Sequence, residues 1–390
     1  MDKDDKKWDR IAFLFEGGGA LGAFQVGVYE ALWRAGYLVN WVSGISIGAI
    51  NAAIVAGNKP EKRLPKLKEF WQRIVTPSYL NWWPLLFNPM NLSELNDVWQ
   101  AQVALLWGQP GFFSPRPINP HFLSQETPDN VSFYDTSLLK ETLKELIDFD
   151  ILNNGEMRLT LSAVQLSTGQ QVQFDSAKQY IEIEHIMASG ALPPGFPAVK
   201  IDNEYYWDGA LVNNSSLEII LNDLPSVNTL CFMMQLFDPD GALPNSLDKV
   251  LLKQKEIIYN SNYQHSLNNF CENQDLRYTL KEIYNLLPAY HKKKPQYKNV
   301  PLMGSTTKMT LVKFHRHAQK SDRSSKDYNF TEAAVKKNID IGYKQASHAL
   351  KESVWRQPIP NNVSVVLYDM FAHKTEQKIV MHGKEIHKSL

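Results

Sequence analysis

The sequence predicts an α/β fold in which a mainly parallel central sheet is flanked by helices. Three observations carry that expectation. Ile11-Ala12-Phe13-Leu14-Phe15 is a continuous apolar run, the pattern of a strand buried on both faces of a parallel sheet, and it passes through glycines into a helical repeat. Leu38 to Ser43 reads as a second strand, followed by a tight turn and the helix-like stretch Ala49 to Ala56. Asn228 to Phe237 and Met309 to Phe314 are further buried strands, with a long helix expected over Leu247 to Phe270 between them.

Composition narrows the class of partner. In 390 residues, 44% hydrophobic and 21% charged, there is ample material for a large core. Lys+Arg and Asp+Glu both number 41, so the formal charge is zero and nucleic acid is not an expected partner. The two cysteines, Cys231 and Cys271, are too few for a disulfide framework and suit a reducing compartment, where they read as buried apolar filler. Met1 to Arg10 is charged with mixed sign and runs straight into a strand, with no apolar core of a secretory signal. A cytoplasmic location is expected, with contact at a membrane surface and export by a signal-independent route left open.

Taken in order, the first strand ends in Glu16-Gly17-Gly18-Gly19-Ala20-Leu21-Gly22, and Phe24, Val28, Leu32 and Trp33 then recur at helical spacing as far as Gly36. A strand, a glycine turn and a helix in that order gather backbone N–H groups at a helix start, which makes an anion site. Gly17-x-Gly19-x-x-Gly22 also fits a dinucleotide fingerprint, and an oxidoreductase is the reading it suggests. That fingerprint requires an acidic residue at the end of the second strand, and no Asp or Glu lies between Ala31 and Gly57.

Gly44-Ile45-Ser46-Ile47-Gly48 is a G-x-S-x-G motif between a strand and a helix, the setting of a nucleophile elbow. Ser46 is the candidate nucleophile, with Gly44 and Gly48 leaving room for the turn. The bland alternative makes Ser46 a helix cap. Adjacent parallel strands would place this serine and the glycine loop at one carboxyl edge, the loop supplying oxyanion donors.

From Glu61 to Pro120 come five of the chain's ten tryptophans, Trp71, Trp82, Trp83, Trp99 and Trp107, among clustered prolines. This insertion reads as a cap over an apolar site, as a surface resting on a lipid interface, or as ordinary helical packing. Ser137 to Phe149 is an amphipathic helix, and Arg158 to Gln165 and Gln170 to Asp175 are strands joined by a turn. Ile183 to Met187 leads into the Ala188 to Pro197 loop, and a hairpin around Asp202-Asn203 delivers Asp208-Gly209-Ala210.

Gly17-Gly18-Gly19-x-x-Gly22, Gly44-x-Ser46-x-Gly48 and Asp208-Gly209-Ala210, with the small-residue and proline loop before the aspartate, together resemble the patatin-like phospholipase family over about residues 10 to 215. The resemblance implies a three-layer sandwich related to α/β-hydrolases and a catalytic dyad in which Asp208 partners Ser46. It implies an oxyanion hole from the N–H groups of Gly17, Gly18 and Gly19, with Ile47 as a further donor, and Gly22, Gly44, Gly48 and Gly209 as supporting residues. No metal or organic cofactor is implied. The expected function is hydrolysis of lipid acyl esters, with a non-catalytic lipid-binding module on the same fold as the alternative. Leu21 departs from the pattern, since many members carry Arg or Lys there, and the headgroup preference is left open. A triad would instead call on His185 or His121, each read as structural.

In the second half, residues 216–372 are expected to complete the sheet and add a helical C-terminal extension, resembling that of some bacterial patatin-like proteins. Residues 288–308 read as a basic, proline-broken loop around Lys292-Lys293-Lys294, solvated rather than bound to headgroups. His315 and His317 lie two apart on a strand and face the same way, but no acidic or cysteine partner near them in sequence completes a metal site. Thr331 is expected to cap a helix from Glu332 to Glu352, and 373–390 is a polar, basic tail.

Overall fold

The computed structural model describes residues 8–76, 107–118, 120, 126–221, 223, 226–240, 243–319, 321–359 and 363–370, together with the backbone of 375–381 and 384–389. Most of the tryptophan-rich insertion, with Trp82, Trp83 and Trp99, and His121 lie outside the described residues. The strands of the main sheet are β1 (Arg10–Phe15), β2 (Trp41–Gly44), β3 (Arg158–Gln165), β4 (Gln171–Asp175), β5 (Val199–Ile201), β6 (Glu204–Asp208), β7 (Thr229–Gln235), β8 (Met309–His315), β9 (Val365–Met370), β10 (Thr375–Met381) and β11 (Lys384–Ser389). They form an 11-stranded sheet in the order β11-β10-β9-β8-β7-β1-β2-β3-β6-β5, with β4 paired to β3. The six strands from β9 to β3 run parallel, and the antiparallel pairs lie at the two ends. The α/β class with a mainly parallel sheet is the fold observed.

Each central strand is buried on both faces, which is why its sequence is apolar throughout rather than alternating. Ile11, Phe13 and Phe15 of β1 point into one core, shared with helices α1 (Ala23–Arg34), α2 (Ile47–Ala56) and α3 (Pro60–Arg73). Ala12 and Leu14 point into the other, shared with α7 (Leu217–Leu221) and α8 (Leu247–Leu286), where Cys231 and Cys271 also sit as buried free thiols. Between these groups in the chain come α4 (Ser137–Leu146), α5 (Phe149–Asn154) and α6 (Ile183–Ser189), and α9 (Glu332–Glu352) follows β8. No helix among the described residues is long and apolar enough to cross a membrane.

Several boundaries differ from the sequence reading for identifiable reasons. The helix expected over Ser137 to Phe149 ends at Leu146, because the Asp148 carboxylate accepts from the N–H groups of Asp150 and Ile151, both at 3.0 Å, and starts a new helix. The long helix α8 continues past Phe270 to Leu286. Residues 288–308 are not one open loop: short helical turns occupy Ala289–Lys292, Pro295–Tyr297 and Val300–Met303, two of them with proline in the first turn. The tail, read only as polar and basic, pairs as the β10–β11 hairpin on β9.

The C-terminal half is packed onto the first βα unit at its most crowded point. Helix α9 lies so close to α1 that a Cβ at Gly27 would run into the Ile339 carbonyl, and one at Gly342 into the Phe24 carbonyl. Gly27→Ala improves helix propensity by about 1 kcal/mol, but the obstacle is backbone and has no rotamer to yield. A net loss of about 1–2 kcal/mol is expected, read as a lower urea midpoint. An unchanged or higher midpoint would mean that the two helices do not meet there.

Candidate active site

Strands β1 and β2 are parallel neighbours with Phe15 opposite Gly44, so the turns that follow them leave the sheet side by side. The second turn places Ser46 at φ 58° and ψ −129°, a left-handed conformation that a side chain rarely adopts. Its amide donates to the Ser189 carbonyl at 3.0 Å, and the Ile45 amide donates to that of Phe15 at 3.1 Å. Those two bonds hold the strained turn. A Cβ at Gly48 would run into the Phe15 carbonyl, and one at Gly44 into that of Gly48, so these positions are glycine through lack of space. Ser46 alone in this segment is partly exposed, and it stands at the start of α2.

The glycine loop lies against this turn. Only 2.9 Å would separate a Cβ at Gly17 from the Ser46 Cβ, and Gly19 has φ 54°, which glycine adopts without strain. Gly17 differs from the sequence expectation: its N–H donates to Asn214 Oδ1 at 3.0 Å, while Asn214 Nδ2 donates to the Gly17 carbonyl at 3.1 Å. An amide clamped in this way is not a free oxyanion donor. The N–H groups of Gly18, Gly19 and Ile47 have no acceptor among the described residues.

Asp208 ends β6, beside Ala163 of β3, and is fully buried. Its amide donates to the Ala191 carbonyl at 3.0 Å, and its Oδ1 accepts from the Ala210 N–H at 2.9 Å. Burial pushes its carboxyl up to about 7, against the opposing pull of the Ala210 N–H and the neighbouring Ser46 hydroxyl. Oδ2 itself completes no hydrogen bond within normal limits. Ser46 therefore neighbours the carboxylate without closing a hydrogen bond to Oδ2. Gly209 is a packing requirement, since a Cβ there would come within 2.6 Å of the Ser162 carbonyl oxygen.

Ser46, Asp208 and Gly17 to Gly19 line one cavity of about 150 Å³, many times the ~10–15 Å³ that one water occupies. Its walls are mostly apolar. Phe112, Phe113, Tyr134, Phe196 and Phe330 form an aromatic wall with ring centroids 4.8–5.9 Å apart for the contacting pairs Phe113–Tyr134, Phe113–Phe196, Phe112–Phe196 and Phe112–Phe330. Phe237 stacked on Tyr259 at 4.7 Å, with Tyr328, closes the other side. The described end of the tryptophan-rich insertion thus contributes Phe112 and Phe113, whereas Trp71 is buried in the core and Trp107 is exposed. The lining includes no Lys or Arg among the described residues, and its Asp327 is paired to Lys255 at 2.8 Å.

Sequence reasoning missed several of these residues. Asn214 was legible only as an asparagine after the Asp208 turn. Gln25 and Asn51 looked like ordinary helix residues, yet both are fully buried: Gln25 Nε2 donates to the Glu16 carbonyl at 2.8 Å, Asn51 Nδ2 donates to Gln25 Oε1 at 2.8 Å, and Trp71 Nε1 donates to Asn51 Oδ1 at 3.0 Å. This chain ties the root of the glycine loop to the helix behind Ser46. A buried polar side chain inside an apolar helical stretch was the only available signal.

His185 has structural partners: its Nδ1 accepts from the Glu182 N–H at 2.9 Å as part of a helix cap, and it packs on Phe174. The end of β2, where a dinucleotide site would hold its ribose acid, carries Gly44 and Ile45 instead. His315 and His317 have no acidic partner near them in sequence, but the fold brings Asp238 against them from beyond the end of β7, with Oδ2 3.0 Å from His317 Nδ1.

A family model described as patatin-like phospholipase matches residues 13–221, more than half of the chain, and one described as patatin phospholipase matches residues 257–362. No curated protein matches. Among solved structures, VipD from Legionella pneumophila is similar at 13% identity and a TM-score of 0.32, covering 85% of this chain and 66% of that one. The human GIVD cytosolic phospholipase A2 is 11% identical with a TM-score of 0.33, covering 60% and 44%. ExoU from Pseudomonas aeruginosa, in complex with SpcU, is 14% identical with a TM-score of 0.26, covering 90% and 75%. The chain therefore spans just under two thirds of VipD and less than half of the human protein.

Removing the clamp on the glycine loop tests this geometry. Asn214→Ala leaves the buried N–H and C=O of Gly17 without partners, and a loss of about 1–3 kcal/mol in unfolding free energy is expected from urea titration. Asn214→Asp keeps an acceptor but not the donor and should recover part of it. Unaltered stability in Asn214→Ala would show that the loop is held by other contacts.

Proposed function

The chain belongs to the patatin-like phospholipase family, and from that premise we propose that it is a serine hydrolase of lipid acyl esters. Ser46 Oγ attacks the ester carbonyl carbon and its proton passes to Asp208. The oxyanion that forms is met by the N–H groups of Gly18, Gly19 and Ile47. Collapse of the intermediate expels the alcohol, which takes the proton from Asp208, and leaves an acyl group on Ser46. Water, deprotonated by Asp208, then attacks that acyl group; the second intermediate breaks its bond to Ser46 Oγ, which takes the proton back from Asp208 as the carboxylic acid leaves.

The observation that carries this reading is the pairing of a strained, partly exposed Ser46 with a fully buried carboxyl whose pKa is raised to about 7. A carboxylate near its ordinary value of about 4 is a poor base toward a hydroxyl, and desolvation corrects much of that mismatch at neutral pH. The aromatic cavity beside the pair suits an acyl chain. With no cation in its described lining, the cavity selects for apolar bulk rather than for headgroup charge.

A fluorophosphonate probe with intact-mass readout tests the chemistry. One adduct is expected on the wild type, none on Ser46→Ala, and labelling slowed by roughly 10²–10⁴-fold in Asp208→Asn. Failure of the folded wild type to label, both alone and with lipid vesicles, would reject the hydrolase in favour of a lipid-binding module.

The same carboxyl sets two pH dependences. The protonated acid cannot accept the serine proton, so labelling of the wild type should rise about tenfold per pH unit below about pH 7 and level off above it. Its folded pKa lies above the unfolded value of about 4, so its contribution to stability is fully present below about pH 4 and lost as pH rises through about 7. Asp208→Asn should flatten both profiles, and an unchanged pH–rate profile in that variant would assign the base elsewhere.

A further inference from the structure

Asp238, His315 and His317 bring one carboxylate oxygen and one nitrogen from each imidazole within 4.8 Å of one another. The group is built by the ends of two neighbouring parallel strands, β7 and β8. Asp238 lies three residues beyond β7, His315 ends β8 opposite Gln235 of β7, and His317 follows two residues on. All three stand at the carboxyl edge of the sheet, the same edge as Ser46 but outside its cavity lining.

We propose that Asp238, His315 and His317 form a binding site for one divalent transition-metal ion, with zinc the best match to the donor set. Asp238 Oδ2 lies 3.0 Å from His317 Nδ1 and 3.8 Å from His315 Nδ1, and the two imidazole rings are 4.1 Å apart between centroids. Donors bound about 2.0–2.2 Å from a tetrahedral ion stand roughly 3.3–3.6 Å from one another, so the trio needs only small rotations to close on it. Two imidazoles and one carboxylate suit zinc and neighbouring transition metals rather than magnesium or calcium, which prefer all-oxygen sets. Three protein ligands leave a fourth position for water.

The surroundings match what such ligands require. The other oxygen of the Asp238 carboxylate accepts from the Asp240 N–H at 3.0 Å, which turns Oδ2 toward the histidines. On the far side of His315, its Nε2 lies 3.0 Å from Asp369 Oδ1 of β9, an ion-pair contact outside hydrogen-bond geometry, placed where metal-bound imidazoles commonly meet an outer carboxylate. Asp369 is in turn paired with Lys313 at 2.7 Å, so that lysine is neutralised by the outer carboxylate and not by Asp238. Asp238 and His315 are buried, while the partly exposed His317 leaves an entry path for an ion.

An ion here would also brace the acyl cavity. Asp238 directly follows Phe237, which lines that cavity, and Leu236 and Phe237 pack against Gly18 of the glycine loop. The site nevertheless stands independently of the hydrolase reading, since Ser46 takes no part in it.

Cobalt(II) and zinc added to the metal-stripped full chain test the proposal. One equivalent of Co²⁺ with visible d–d absorption is expected, displaced by Zn²⁺, together with a higher thermal midpoint in Zn²⁺ because only the folded chain holds the ion. His317→Ala, at the most exposed ligand, and Asp238→Asn should each weaken binding by at least 100-fold. Ser46→Ala and the surface variant His291→Ala should bind as the wild type does. Absence of stoichiometric Co²⁺ binding by the folded wild type, or binding that survives both ligand substitutions, would overturn the proposal. Zinc binding by Ser46→Ala alongside failed fluorophosphonate labelling of the wild type would keep the metal site and discard the hydrolase.

Discussion

The parallel pairing of β1 with β2 is the constraint on which the rest of the site depends. Opposed residues Phe15 and Gly44 send two backbone turns out of the sheet side by side, and the space between them admits no extra atom. Gly48 abuts the Phe15 carbonyl, and Gly17 abuts Ser46. Because both contacts are to main chain or to the first atom of a side chain, no rotamer change could relieve a larger residue. Tightness at this point is what sets the glycine loop against the Ser46 turn, and Asn214 and the Gln25–Asn51–Trp71 chain hold that packing from behind.

Burial does the electrostatic part. Asp208 is carried into the interior by the β5–β6 hairpin and fastened by one backbone donor, which is too little to offset the loss of water. The carboxyl therefore rests near neutrality in its titration instead of being permanently ionised. The aromatic wall makes the cavity onto which Asp208 and Ser46 face mostly apolar.

The C-terminal half is continuous with this site. Strands β7, β8 and β9 extend the parallel sheet beyond β1, α9 packs on α1 with Gly27 and Gly342 each against the other helix's backbone, and Phe237, Tyr259, Asp327, Tyr328 and Phe330 complete the cavity. Its carboxyl edge gathers a second polar cluster, Asp238 with His315 and His317, on strands adjacent to the glycine loop. Open parallel sheets collect functional groups at this edge because every strand ends there and every following turn begins there.

The sequence by itself determined what local chemistry dictates. Unbroken apolar runs identified β1, β7 and β8, since double-faced burial leaves no polar position; glycine spacing around Ser46 marked a turn that tolerates no side chains; the hairpin before Asp208 was legible from its turn residues. Tertiary structure decided everything that depends on residues far apart in the chain. The Gly17 amide, expected from the sequence to be free, is taken by Asn214, 197 positions away. Asp238 joined His315 and His317 although it lies 77 positions from the nearer one, a proximity created by strand pairing and invisible to spacing. The raised pKa of Asp208 likewise has no local sequence signal, because desolvation is a property of the surrounding fold and not of the residue.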